Sequence, residues 1–109
     1  MLRSSFLFVS SVLIFGFIGN VQAADASAGV EVFANNCTSC HSGGNNLIVQ
    51  VKSLSIKDLK DNKMDSEAAI ITLVTNGKPP MPAFGTTLST EQIKNVAAYV
   101  MQQANAGWK

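Results

Sequence analysis

Cys37-Thr38-Ser39-Cys40-His41 gathers both cysteines and the only histidine of a 109-residue chain into one short run. Two thiols separated by two residues, with an imidazole directly after them, suit only a few chemistries. A c-type haem is attached through this spacing: each thiol adds to one vinyl group of the porphyrin and the adjacent imidazole reaches the iron. A structural zinc site wants four protein ligands, and these three residues leave the fourth unassigned. A redox dithiol usually sits in a βαβ context, and the chain has no strand-like alternation long enough to make a sheet. A disulfide across two intervening residues closes too small a loop to stabilise much on the entropy account. Haem attachment at Cys37 and Cys40, with His41 as one axial ligand, is the reading that employs all three residues together. It also bears on the fold, because haem is a large flat hydrophobe and a chain this short buries only a modest core without such a supplement.

An electron-transfer haem usually has a second strong ligand, and a methionine thioether raises the potential relative to a second histidine. With the single histidine spent, methionine is the natural donor. Met1 opens the chain, Met64 lies in a polar stretch, and Met101 falls on the apolar face of the last predicted helix, where packing is its expected role. Met81 lies in Lys78-Pro79-Pro80-Met81-Pro82-Ala83-Phe84-Gly85, which contains all three prolines of the chain. Prolines fix φ and remove backbone donors, so this segment is predicted to be a stiff loop that holds the sulfur with little freedom. Met81 is therefore the predicted second ligand, with a plain core role as its alternative. Phe33, Leu47, Ile48, Leu54, Leu59, Ile70, Val74, Phe84, Val96 and Val100 are the apolar residues expected to line the haem. Asn45 and Asn46 are expected to shape the glycine-rich turn after the motif, with a propionate contact as the alternative.

Working outward, residues 1–23 carry Arg3, then an apolar run from Phe6 to Ile18 broken only by small residues, and no acid. That is a signal peptide's layout. Val21-Gln22-Ala23 fits a cleavage site, with the cut after Ala23 or one residue later. The apolar run is shorter than the ~20 residues a spanning helix needs, so no membrane insertion is expected after cleavage. Residues 24–109 then form one domain. Only Arg3 leaves from a composition of eight basic and seven acidic residues, so the remainder is near neutral. Its lysines are scattered, and nothing points to nucleic acid.

The remaining elements are predicted helices. Asp25 is placed to cap a first helix with Val30 and Phe33 on one face, ending at Asn35-Asn36. Residues 42–53 read as a loop, and Ser55 with Asp58 as a short helix start. A further helix over Ser66–Asn76 should bury Ala69, Ile70, Leu73 and Val74 and end on Gly77 in a left-handed conformation. Ser89-Thr90-Glu91-Gln92 has capping-box form ahead of Ile93, Val96, Ala97, Val100, Met101 and Ala104 at helical spacing. This last helix should pack on the first, with Phe33 and Tyr99 at the crossing and Trp108 anchoring the tail.

GVEVFANNCTSCHSGGNN (29–46), VTNGKPPMPAFG (74–85) and LSTEQIKNVAAYVMQQANAGW (88–108) resemble, in order and spacing, the small class I c-type cytochromes, and within them the cytochrome c6 group of algae and cyanobacteria. The resemblance implies an all-α fold of about four helices wrapped around one haem c, thioethers at Cys37 and Cys40, iron between His41 and Met81, and Gly29 and Phe33 crossing Tyr99. It further implies a soluble, monomeric carrier, not an enzyme, that moves single electrons from the cytochrome b6f complex to photosystem I. The expected location is the thylakoid lumen, with a periplasm as the other compartment such signals reach. Two positions depart from the group. Leu73 stands where typical photosynthetic members have a glutamine beside the haem, a residue also lost in lower-potential branches, and Asn46–Ser53 lacks the proline often found there. Two alternatives follow: a lower-potential carrier with another partner, such as a terminal oxidase, and a haem-based ligand or redox sensor in which Met81 dissociates.

Overall fold

A computed structural model describes residues 23–109. The predicted signal segment lies outside the described residues except for Ala23. Five α-helices follow one another: α1 (Ala26–Asn36), α2 (Thr38–His41), α3 (Ile56–Asp61), α4 (Glu67–Asn76) and α5 (Thr90–Ala106). Short 3-10 turns at Ser42–Gly44 and Gln50–Lys52 punctuate the connection from α2 to α3. Among the described residues the only β-type pairing is an isolated bridge between Lys78 and Met81. No helix among them is long and apolar enough to cross a membrane.

Local chemistry explains where the helices begin. The Asp25 carboxylate accepts from the Ser27 N–H at 2.9 Å, Ser55 Oγ from Asp58 N–H at 3.2 Å, and Ser66 Oγ from Ala69 N–H at 3.1 Å. Ser89 and Gln92 complete a reciprocal capping box at 3.1 and 2.9 Å. Each cap satisfies donors that a helix N-terminus would otherwise leave unpaired. α4 ends on Gly77 at φ 69° and ψ 168°, so φ is positive as expected but ψ lies outside the left-handed helical region.

The frame is the crossing of α1 and α5, with α4 laid against α5. Gly29 is the contact point: a Cβ there would strike the Asn95 carbonyl and the Tyr99 side chain. Asn95 is buried, and its Oδ1 accepts the Asp25 N–H at 2.8 Å, tying the start of α1 to the middle of α5. Phe33 meets Tyr99 edge to face at a centroid separation of 5.4 Å, and Trp108 joins them at 5.3 and 6.1 Å. The expected crossing and tail anchor are therefore present. The apolar face of α1 differs by one position: Val32 is buried, whereas Val30 is 48 % exposed, because the close approach at Gly29 turns the Gly29–Val32–Phe33 stripe inward. On α4, Ile70 and Val74 are buried, while Ala69 and Leu73 are only partly covered.

Gly29→Ala offers a direct check of the crossing. Alanine favours helix by ~1 kcal/mol over glycine, but forcing a methyl into a filled contact typically costs about 1–3 kcal/mol. A net loss of stability is expected in urea denaturation, and a raised midpoint would show that the two helices are not in tight contact.

Candidate haem site

Cys37 closes α1 by donating its N–H to the Phe33 carbonyl at 2.9 Å, and His41 N–H donates to the Cys37 carbonyl at 2.9 Å. One helical turn thus spans the motif. Positions i, i+3 and i+4 share a helix face, so Cys37, Cys40 and His41 stand together, all three partly buried in the wall of one cavity. The two cysteines are not joined to each other as a disulfide. Burial pushes the Cys37 thiol up to about 11, which keeps it protonated near neutral pH. Among the described residues no group of three or more His, Cys, Asp or Glu side chains is arranged to hold a metal ion.

His41 Nδ1 lies 2.8 Å from the Asn45 carbonyl oxygen. A carbonyl only accepts, so the hydrogen bond places the proton on Nδ1 and leaves the Nε2 lone pair free to ligate. Orienting a ligating imidazole through its other nitrogen is the usual second-layer arrangement at metal centres. Asn45 contributes through its backbone, while its amide donates to the Ser42 carbonyl at 3.1 Å. Asn46 Oδ1 accepts from Ile48 and Val49 N–H at 3.0 and 2.8 Å, and its amide donates to the Lys52 carbonyl at 3.0 Å. Both asparagines are turn formers, as expected.

Met81 lines the same cavity. Its loop is tied across by Met81 N–H to the Lys78 carbonyl at 2.8 Å and by the reverse bond at 3.0 Å. Phe84 and Gly85 N–H groups reach back to the Val74 and Thr75 carbonyls at 2.8 and 3.1 Å, fastening the loop to the end of α4.

The cavity has a volume of about 300 Å³. Of the ten apolar residues expected to line it, all but Leu47 do so. Leu47 is 69 % exposed: its N–H is held by the Cys40 carbonyl at 3.0 Å, and the Asn46 turn brings Ile48 and Val49 to the wall instead. Leu73 also lines the cavity, and so does Met64, which its polar neighbourhood had concealed. Lys63 adopts φ 58° just after α3, and Met64 N–H folds back to the Leu59 carbonyl at 2.7 Å, setting this methionine against the core. No local pattern in the sequence announces that turn. Exposed Lys52, Asn62 and Lys78 supply polar groups among the lining residues. The residues present therefore fit a porphyrin: an apolar slot with two thiols and a correctly protonated imidazole in its wall, a thioether among its other lining groups, and polar side chains for carboxylates.

A helical shell closed around such a slot defines a class I c-type cytochrome. A family model described as cytochrome C oxidase, cbb3-type, subunit III, matches residues 24–100. The chain is 58 % identical to cytochrome c6 of Rippkaea orientalis, over 80 % of its own length and 78 % of that protein. Among solved structures, cytochrome c6 of the diatom Phaeodactylum tricornutum superposes with a TM-score of 0.76 at 47 % identity, covering 78 % of this chain and all of that one. Cytochrome c6C of a Synechococcus species superposes with a TM-score of 0.71 at 38 % identity, covering 72 % of this chain and 96 % of that one. The chain belongs to the cytochrome c6 family and carries one covalently bound haem c for electron transport.

Proposed function

We propose that Cys37 and Cys40 form the haem thioethers, that His41 and Met81 are the axial ligands, and that the protein is a soluble carrier of single electrons from the cytochrome b6f complex to photosystem I. The observation that carries this reading is that both thiols, an imidazole protonated on Nδ1 and a loop-clamped methionine all line one cavity. When bound, haem supplies a one-electron couple; the chain's own residues keep its surroundings fixed. The Asn45 carbonyl holds the imidazole proton, the Lys78–Met81 bridge limits movement of the thioether, and Phe33, Leu59, Val74 and Val96 exclude water. On this reading residues 1–23 direct export and are removed, and the carrier works as a monomer in the thylakoid lumen, or in a periplasm, without catalysing a reaction itself.

Leu47, Ile48 and Val51 are 69 %, 58 % and 71 % exposed on the loop after the motif, and Ile48 also lines the cavity. An apolar patch beside the haem, with Lys52 next to it, suits the small and transient contacts of electron-transfer partners. A second reading is favoured by Leu73, whose apolar side chain lines the slot: a lower-potential carrier serving another acceptor, such as a terminal oxidase.

A redox titration of the haem protein separates the two. A reversible one-electron midpoint compatible with the b6f donor supports the first reading, and one well below it sinks the photosystem I role while leaving electron transfer intact. Leu73→Gln sharpens the test. An amide N–H aimed at the haem favours the reduced state, and a hydrogen bond of roughly 1 kcal/mol corresponds to about 40 mV for one electron. A midpoint raised by that order is expected; an unchanged midpoint would mean that Leu73 does not set the potential.

A further inference from the structure

We propose that Trp108, one residue from the chain's end, is a positioning residue for His41. The inference rests on His41 being an axial ligand and extends that reading to a side chain outside the haem cavity. Trp108 does not line the cavity. It grips the loop behind it at two places. Its ring lies so close over Gly44 that a Cβ there would collide with it, and Gly44 is buried at φ 81°. Its Nε1–H donates to the Leu54 carbonyl at 2.8 Å. Leu54 N–H in turn donates to the Gly44 carbonyl at 2.7 Å, so the indole covers a loop closed at its own base. The residue directly after Gly44 is Asn45, whose carbonyl lies 2.8 Å from His41 Nδ1.

The indole is itself held firmly. Phe33 and Tyr99 pack against it, and the Trp108 backbone N–H donates to the Gln103 carbonyl at 2.8 Å beyond the Gly107 cap of α5. A continuous set of contacts therefore runs from α5 through Trp108, Gly44 and Asn45 to the imidazole. A stronger bond from Nδ1–H makes a ligating imidazole more electron-donating and favours the oxidised metal. Releasing the clamp lengthens that bond, exposes its proton to solvent and raises the midpoint potential.

The experiment is proton NMR of the reduced haem protein, following solvent exchange of the His41 Nδ1–H, together with a redox titration. Trp108→Phe keeps a ring over Gly44 but removes the Nε1–H; Trp108→Leu removes both contacts. Ile93→Val, a buried change at the far end of α5 that touches neither the loop nor the cavity, controls for lost stability. Expected are exchange about tenfold faster or more in Trp108→Leu, an intermediate rise in Trp108→Phe, a higher midpoint in both, and an intact methionine charge-transfer band. Unchanged exchange at His41 in Trp108→Phe overturns the proposal, and so does equal acceleration in Ile93→Val. If Trp108→Leu does not fold, Trp108→Phe decides alone. The wild-type spectrum tests the underlying reading separately: His41 ring protons without the large shifts of a haem-bound imidazole refute the ligand assignment and not the clamp.

Discussion

Met81→Ala is expected to abolish the red-edge methionine-to-iron(III) charge-transfer band and to lower the midpoint by a sizeable part of the roughly 0.8 V range that axial ligands span. Thioether sulfur favours the reduced iron, and alanine offers no donor in its place. Met64 makes the outcome informative. It lines the same cavity, so a variant that keeps a methionine band would show that Met64 serves as donor, whether in the wild type or as a substitute. Met64→Ala separates these cases, since it leaves the band untouched if Met81 is the native ligand. The wild-type spectrum also bears on the sensor alternative. A band present in the oxidised protein, and failure of carbon monoxide to bind the reduced one, exclude a readily displaced Met81.

Replacing Cys37 and Cys40 together by serine should cost the fold as well as the covalent link. Haem in such a variant becomes extractable by acidified acetone, and its loss leaves the slot without a filler. An unfilled apolar cavity destabilises by ~24 cal/mol per Å³. For a volume of about 300 Å³ that is at most on the order of 7 kcal/mol, an upper figure because water can enter from the open side. Native domains are stable by only about 5–15 kcal/mol, and small ones lie at the lower end. The extracted protein should therefore lose most of its far-ultraviolet helical signal at room temperature. Retention of the full signal would mean that α1, α4 and α5 pack adequately without the cofactor.

What could be read in advance was whatever depends on neighbouring positions. Asp25, Ser55, Ser66 and Ser89 cap their helices because a short polar side chain reaches a donor two or three residues on, a relation visible in any sequence. Cys37, Cys40 and His41 share a face because their spacing is that of one helical turn. Val30 and Val32 were harder to separate, since both suit an amphipathic helix and the choice was made by the approach of α5 at Gly29. Leu47 and Val49 belong to a loop without periodicity, and their positions follow from the three hydrogen bonds of the Asn46 side chain. Met64 depended on a positive φ at Lys63, a residue that rarely adopts one. The Asn45 carbonyl could not be foreseen as the imidazole's partner, because it is a backbone atom positioned by a turn.

The cysteines and the histidine occupy one turn of helix, whereas Met81 reaches the cavity on a loop fastened to α4 by the two short bonds from Phe84 and Gly85. The enclosure is thus unequal on its two flanks. With the attachment and ligation proposed above, a thermal fluctuation that breaks those two loop bonds would free the methionine flank while the thioethers and the Asn45 bond hold the other. Opening would then resemble a hinged lid over a bolted base: iron coordination could be lost and regained many times without the porphyrin leaving, and recovery would be a first-order step independent of haem concentration.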